Sequence, residues 1–149
     1  MRLRELQISY RTVTHTPAGQ RPQIVTAKDA VGVVAPLLAG KIVEHFGVLS
    51  LDTRHRVVAW DVVSVGTLDA TVVHPREVFL IAILHHAAAL IVVHNHPSGD
   101  PSPSPDDITL SRRLRQCGQL LGIGVLDSLV LADGGLFISL REAGELEAV

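Results

Sequence analysis

His94 and His96 stand one residue apart, and Asp107 follows eleven positions after the second histidine. Two imidazoles and a carboxylate are a donor set for zinc, and three protein ligands leave the fourth tetrahedral position open, as a catalytic site requires. A single core histidine is most often just hydrogen-bonded, and a serine followed three residues later by aspartate is most often just a helix cap. Here both features occur together, at the end of one apolar run and the start of the next helix. Their conjunction points to metal binding.

The elements that must hold these groups are readable. Ala89 to Val93 is short, apolar and rich in β-branched residues, which predicts a strand buried on both faces. Side chains alternate along a strand, so His94 and His96 project to the same side. Pro97 cannot join a sheet ladder and stops the strand. Ser98-Gly99-Asp100-Pro101 is turn chemistry. Ser104 suits an N-cap, Pro105 the first helical position, and Asp107 the reciprocal position of a capping box. The helix runs to Leu121, with Gly122 as its stop. Leu110, Leu114, Cys117 and Leu121 share one stripe, and Asp107 lies on it, one turn earlier. Asp107 therefore faces the core and Asp106 faces water. A buried carboxylate needs a partner, and a metal held by the two histidines would supply one.

The rest of the chain alternates strand and helix signals. Arg2 to Val13 has a period of two and predicts a half-buried strand, and His15 to Pro22 a polar loop with His15 solvated. Thr26 with Asp29 predicts a capped helix to about Leu38, kinked or ended by Pro36. Strand EHFGVLSLD, a turn over Asp52–Arg56 and a return strand Val57–Val63 form a hairpin. Glu44, Phe46, Val48 and Ser50 share one face of it, and His45 points to the other. A short strand, TVV, ends at Val73. His74 reads as a loop residue, and Pro75 opens a helix to Ala88 whose last turn carries His85 and His86. Gly124–Leu131 and Leu136–Leu140 are the closing strands, and the tail after them frays as a short helix.

Composition bounds the function. The 149 residues are 47% hydrophobic and 19% charged, enough for a single domain with a true core. A net charge of −2 gives no global footprint for nucleic acid. Arg112, Arg113 and Arg115 on one helix read as a solvated face rather than a DNA stripe. The single cysteine, Cys117, excludes a disulfide framework and reads as a small core hydrophobe. Neither a signal-peptide core nor an apolar run of membrane length is present, so a cytoplasmic protein without membrane partners is expected.

The pattern His94-x-His96-Pro97, then Ser104 and Asp107, resembles the JAMM signature of the JAB/MPN metalloprotease superfamily. HNHPSGDPSPSPDD, with EHFGVLSLDTRHRVV, VGTLDATVVHPREVF and LLGIGVLDSLVL, resembles more closely the RadC family, DNA repair proteins by name. The likeness covers residues 24 to 145 and implies an α/β fold with a mixed central β-sheet flanked by helices, the JAB/MPN (cytidine-deaminase-like) architecture. It implies one zinc ion on His94, His96 and Asp107, with Glu44 as general acid/base and Ser104 steadying the zinc water or the reaction oxyanion. The activity so implied is hydrolysis of a peptide or isopeptide bond in a protein or peptide substrate. The alternative is a nucleic-acid module of the RadC type without protease activity, and a third class is a scaffold with a dead site. RadC proteins often carry Asp-His where this chain has Asp127-Ser128. They also carry an N-terminal helical segment with helix-hairpin-helix character, which is not expected in these 149 residues.

Overall fold

The computed structural model describes residues 1–12, 20–66 and 73–146. Its helices are α1 (Ala27–Leu38), α2 (Pro75–Leu84) and α3 (Pro105–Leu121), and its strands are β1 (His45–Leu51), β2 (Val57–Val65), β3 (Ala89–Asn95), β4 (Gly124–Leu131) and β5 (Phe137–Ser139). They form one five-stranded sheet in the order β2-β1-β3-β4-β5. β1 is antiparallel to β2 and β3, β3 is parallel to β4, and β5 returns antiparallel to β4. The sheet is mixed and the class α/β, as the resemblance implies.

The apolar run of β3 suits its central place, and the strand is buried at all seven positions. Alternation sorts its side chains into two cores. Ile91 and Val93 join Leu49, Leu51, Leu129 and Leu131 under α1. Leu90 and Val92 join Phe46, Val48 and Val125 under α2 and α3. His94 continues the second set, so period two alone sends it towards α3. No helix among the described residues is long and apolar enough to cross a membrane.

Helix ends follow the sequence signals closely. Thr26 and Ser104 each make a reciprocal capping box, with Asp29 and Asp107 respectively, and Gly122 closes α3 in the left-handed region at φ 70°. α1 ends two residues after Pro36. The exception is α2, which stops at Leu84 and not Ala88. His86 takes a left-handed φ of 52°, and the His86 and Ala87 amides return to the carbonyls of Ile83 and Ala82. This is a Schellman closure without glycine, so it carries little signal in sequence. His85 and His86 are thus the end of the helix rather than its last turn. His74 is its N-cap, Nδ1 accepting from the Arg76 amide at 3.1 Å.

Other boundaries also move. β2 extends to Val65, beyond the expected Val63, and β5 is shorter than Leu136–Leu140. Arg2 to Thr12 form no strand and are exposed throughout. Alternation proposes a strand, but among the described residues no sheet edge pairs with this segment; the Tyr10 hydroxyl lies 3.3 Å from His85 Nδ1. The tail does not fray before 146: Leu146 is buried, and Glu145 accepts from Arg112 at 2.8 Å. His15 and most of the TVV segment lie outside the described residues.

α3 approaches β4 at Gly118, where a Cβ would sit inside contact distance of the Ile123 carbonyl oxygen. The turn there has little freedom to yield, because the Ile123 amide closes on the Gly118 carbonyl at 3.0 Å. Gly118→Ala is expected to destabilise the fold by about 1–3 kcal/mol, the usual cost of overpacking. Denaturant unfolding checks it, and an unchanged midpoint would show that α3 can slide.

Candidate metal centre

Pro97 and the end of β3 bring His94 and His96 to the C-terminal edge of the sheet, and the capping box of α3 brings Asp107 to meet them. His94 Nε2 and His96 Nε2 are 3.1 Å apart, and Asp107 Oδ2 lies 3.4 Å from the first and 3.5 Å from the second. The three atoms form a nearly equilateral triangle. Ligand atoms at about 2.0–2.1 Å from a tetrahedral ion are about 3.3 Å apart along each edge, so the donor set fits a zinc-sized cation. His94 and Asp107 are buried, with side chains 2% and 4% exposed, whereas His96 at 14% opens to one side.

Each ligand has its own means of orientation. His96 Nδ1 is 3.0 Å from the Asp100 carbonyl oxygen, which can only accept, so that nitrogen carries the proton and Nε2 presents a lone pair. The His94 ring is set by packing, stacked on Phe46 at 6.0 Å between centroids, and its Nδ1 is buried with no hydrogen-bond partner among the described residues. Asp107 Oδ2 accepts the Ser104 amide at 2.7 Å, so one oxygen serves the helix cap and the cluster together.

Burial alone would raise the Asp107 pKa, but the His94 ring and the Ser104 bonds together outweigh it and hold the carboxyl at about 2. A carboxyl depressed from 3.8 contributes stability that is fully present above pH 3.8 and is lost as pH falls through about 2. In metal-free protein, Asp107→Asn is therefore expected to be destabilising just above pH 3.8, with the gap to wild type closing as pH falls from 3.8 to about 2. Unfolding curves across that window check it, and a gap independent of pH would refute it.

Glu44 precedes β1 and is half-buried. β1 pairs Phe46 with His94, and Glu44 lies two places before that last pair of the ladder. In sequence it has the parity of Phe46. His45 lies on the other parity, its Nδ1 2.9 Å from the Val43 carbonyl oxygen, and is not in the cluster. Ser104 is exposed and its Oγ accepts from the Asp107 amide at 3.1 Å, which leaves the hydroxyl hydrogen available to a ligand.

Two residues near the cluster were not singled out in sequence. Ser111, one turn after Asp107, hydrogen-bonds the Asp107 carbonyl oxygen at 2.7 Å and Ser128 Oγ at 2.8 Å. Ser128 therefore backs the ligand helix, while its neighbour Asp127 is structural, accepting from the Ser128 and Arg141 amides and the Ser139 hydroxyl. Asn95, between the two histidines, bonds the His45 amide and the Val43 carbonyl. A polar residue inside a strand flanked by two ligands is the signal that could have marked it.

The arginines of α3 do not form one solvated face. Arg115 is buried, Arg113 is exposed, and Arg112 is bound to the Glu145 carboxylate. The buried stripe runs Asp107, Leu110, Ser111, Leu114, Arg115 and Gly118, so Leu121 is exposed and Cys117 only partly buried.

Comparison with known proteins gives one consistent likeness. The family model described as a RadC-like JAB domain matches residues 24–145. A UPF0758 protein of Shouchella clausii is 48% identical over 124 residues, covering 83% of this chain and 54% of the relative. Those of Desulforudis audaxviator and Desulforamulus reducens are 48% and 45% identical, covering 86% and 90% of this chain and 55% and 59% of theirs. The chain thus spans little more than half the length of these relatives.

Proposed function

Since the chain belongs to the RadC-like JAB domain family, we propose that it is a zinc-dependent hydrolase of the JAMM type, cleaving a peptide or isopeptide bond. The observation that carries this is the triangle of His94 Nε2, His96 Nε2 and Asp107 Oδ2, buried on one side and open at His96. Bound there, zinc would supply Lewis acidity and an acidified water near neutral pH. His94, His96 and Asp107 hold the ion, with Asp107 ionised throughout the physiological range.

Glu44 accepts the proton of the attacking water and passes it to the leaving amine, which needs a base beside the ligands but not among them. Ser104 donates its hydroxyl hydrogen to the carbonyl oxygen as charge develops there. Beside His96 a cavity of about 320 Å³ runs along Ala35, Leu38, Leu131 and Leu136, and Pro97 forms its near wall. An extended peptide could lay an apolar side chain there with its backbone at His96. Nucleic acid has a minor place in this reading, since the chain carries a net −2 and, of the three arginines of α3, Arg115 is buried and Arg112 is ion-paired, with Arg113 exposed.

The test is hydrolysis of a defined peptide and isopeptide library, read by mass spectrometry. Cleavage is expected to stop on chelation and to return with stoichiometric zinc. Cleavage that persists without metal, or a protein that takes up no zinc, would end the proposal.

A further inference from the structure

We infer that Asn95 is a positioning residue that fixes Glu44 against the metal ligands; this rests on the reading of Glu44 as proton acceptor. The β1–β3 ladder ends at the pair Phe46 and His94. Beyond it β3 follows its other neighbour, and the His96 amide donates to the Leu131 carbonyl at 2.7 Å. Past that pair the Asn95 carboxamide links the two segments: its Oδ1 accepts the His45 amide at 2.7 Å and its Nδ2 donates to the Val43 carbonyl at 3.1 Å.

These two bonds grip the residues immediately before and after Glu44. A third, from the Gly66 amide to the Glu44 carbonyl at 2.8 Å, fixes the peptide between them from the β2 side. Asn95 is 7% exposed, and both ends of its amide are engaged. A primary amide is the side chain that offers one acceptor and one donor in the spacing of a peptide group. Because Asn95 is covalently flanked by His94 and His96, it ties the strand that carries the ligands to the segment that carries the base. Catalytic groups must be held to within about 0.5 Å, so such a tie has functional value beyond closing a ladder.

The test uses the full chain loaded with cobalt(II) and reads the visible absorption against pH. A nearby carboxylate opposes ionisation at the metal, so Glu44→Gln is expected to lower the spectral midpoint by at least about 0.5 pH unit. Asn95→Ala should move it the same way, by less, and should add nothing in the Glu44→Gln background. In metal-free protein, exchange of the His45 amide should rise at least about 10-fold in Asn95→Ala with Val48 and Leu49 unchanged. A midpoint that moves with Glu44→Gln but not with Asn95→Ala overturns the inference alone. So does a shift of equal size in both backgrounds, or an unchanged His45 exchange rate. A midpoint insensitive to Glu44→Gln overturns the reading of Glu44 itself, and the inference with it.

Discussion

Asp107→Ala is expected to weaken zinc binding at least about 100-fold, while Asp106→Ala keeps full stoichiometry. Loss of an outer-shell partner alone typically costs 10–100-fold in affinity, and on the proposed reading Asp107 is a direct ligand. The two carboxylates are adjacent in sequence and both lie in the first turn of α3. They differ in direction: Asp106 is exposed, whereas Asp107 turns inward, its Oδ2 3.4 and 3.5 Å from the two imidazole nitrogens. Removing Asp107 also breaks the capping box, which costs about 1 kcal/mol of helix stability. Asp107→Asn separates the effects, since it preserves size and can accept the Ser104 amide but brings no charge to the cation. Metal analysis after dialysis, with circular dichroism to confirm folding, gives the answer. Equal zinc in the Asp106 and Asp107 variants would mean that the wrong carboxylate has been assigned.

Why Asp107 could be chosen from sequence, and Asn95 could not, is a matter of where the information lies. The capping box places Asp107 at a fixed angle on α3, and the apolar stripe of that helix fixes which angle faces the core. Both are local. The same holds for β3, whose unbroken apolar run demands burial on two faces, and for the parity that sends His94 and His96 to one side. Asn95 acts on residues 43 and 45, about fifty positions away, and only the pairing of β1 with β3 makes that contact. The N-terminal alternation failed for the complementary reason. Leu6, Ile8 and Tyr10 have the period of a strand, yet all three are exposed; a strand also needs a free edge to join, and period carries no knowledge of edges. The α3 stripe shifted from Cys117 and Leu121 to Arg115 and Gly118 because β4 crosses the helix where Gly118 permits close approach, a tertiary choice that hydropathy does not encode.

Glu44→Gln is expected to leave zinc content and fold intact and to reduce hydrolysis of a cleavable peptide or isopeptide at least about 100-fold, the usual scale for losing a general base. Two histidines and one carboxylate with water complete a tetrahedral zinc, so a fourth protein ligand would close the site to substrate. Glu44 is outside the triangle of ligand atoms and lies two residues before Phe46, whose ring stacks on His94. On the proposed reading its carboxylate serves a water or carbonyl held on the open side at His96, the most exposed of the three groups. The substitution keeps the shape and hydrogen-bonding capacity of the side chain and removes only its ability to take a proton. The residual rate should resemble that of a site with its metal and Ser104 in place but no base. Zinc loss in this variant would make Glu44 a ligand and the centre a closed structural one. Unchanged activity would move the base elsewhere, and among the acidic groups described around the cluster Asp107 belongs to the candidate ligand set and Asp106 is exposed, so the base would then have to come from outside this set.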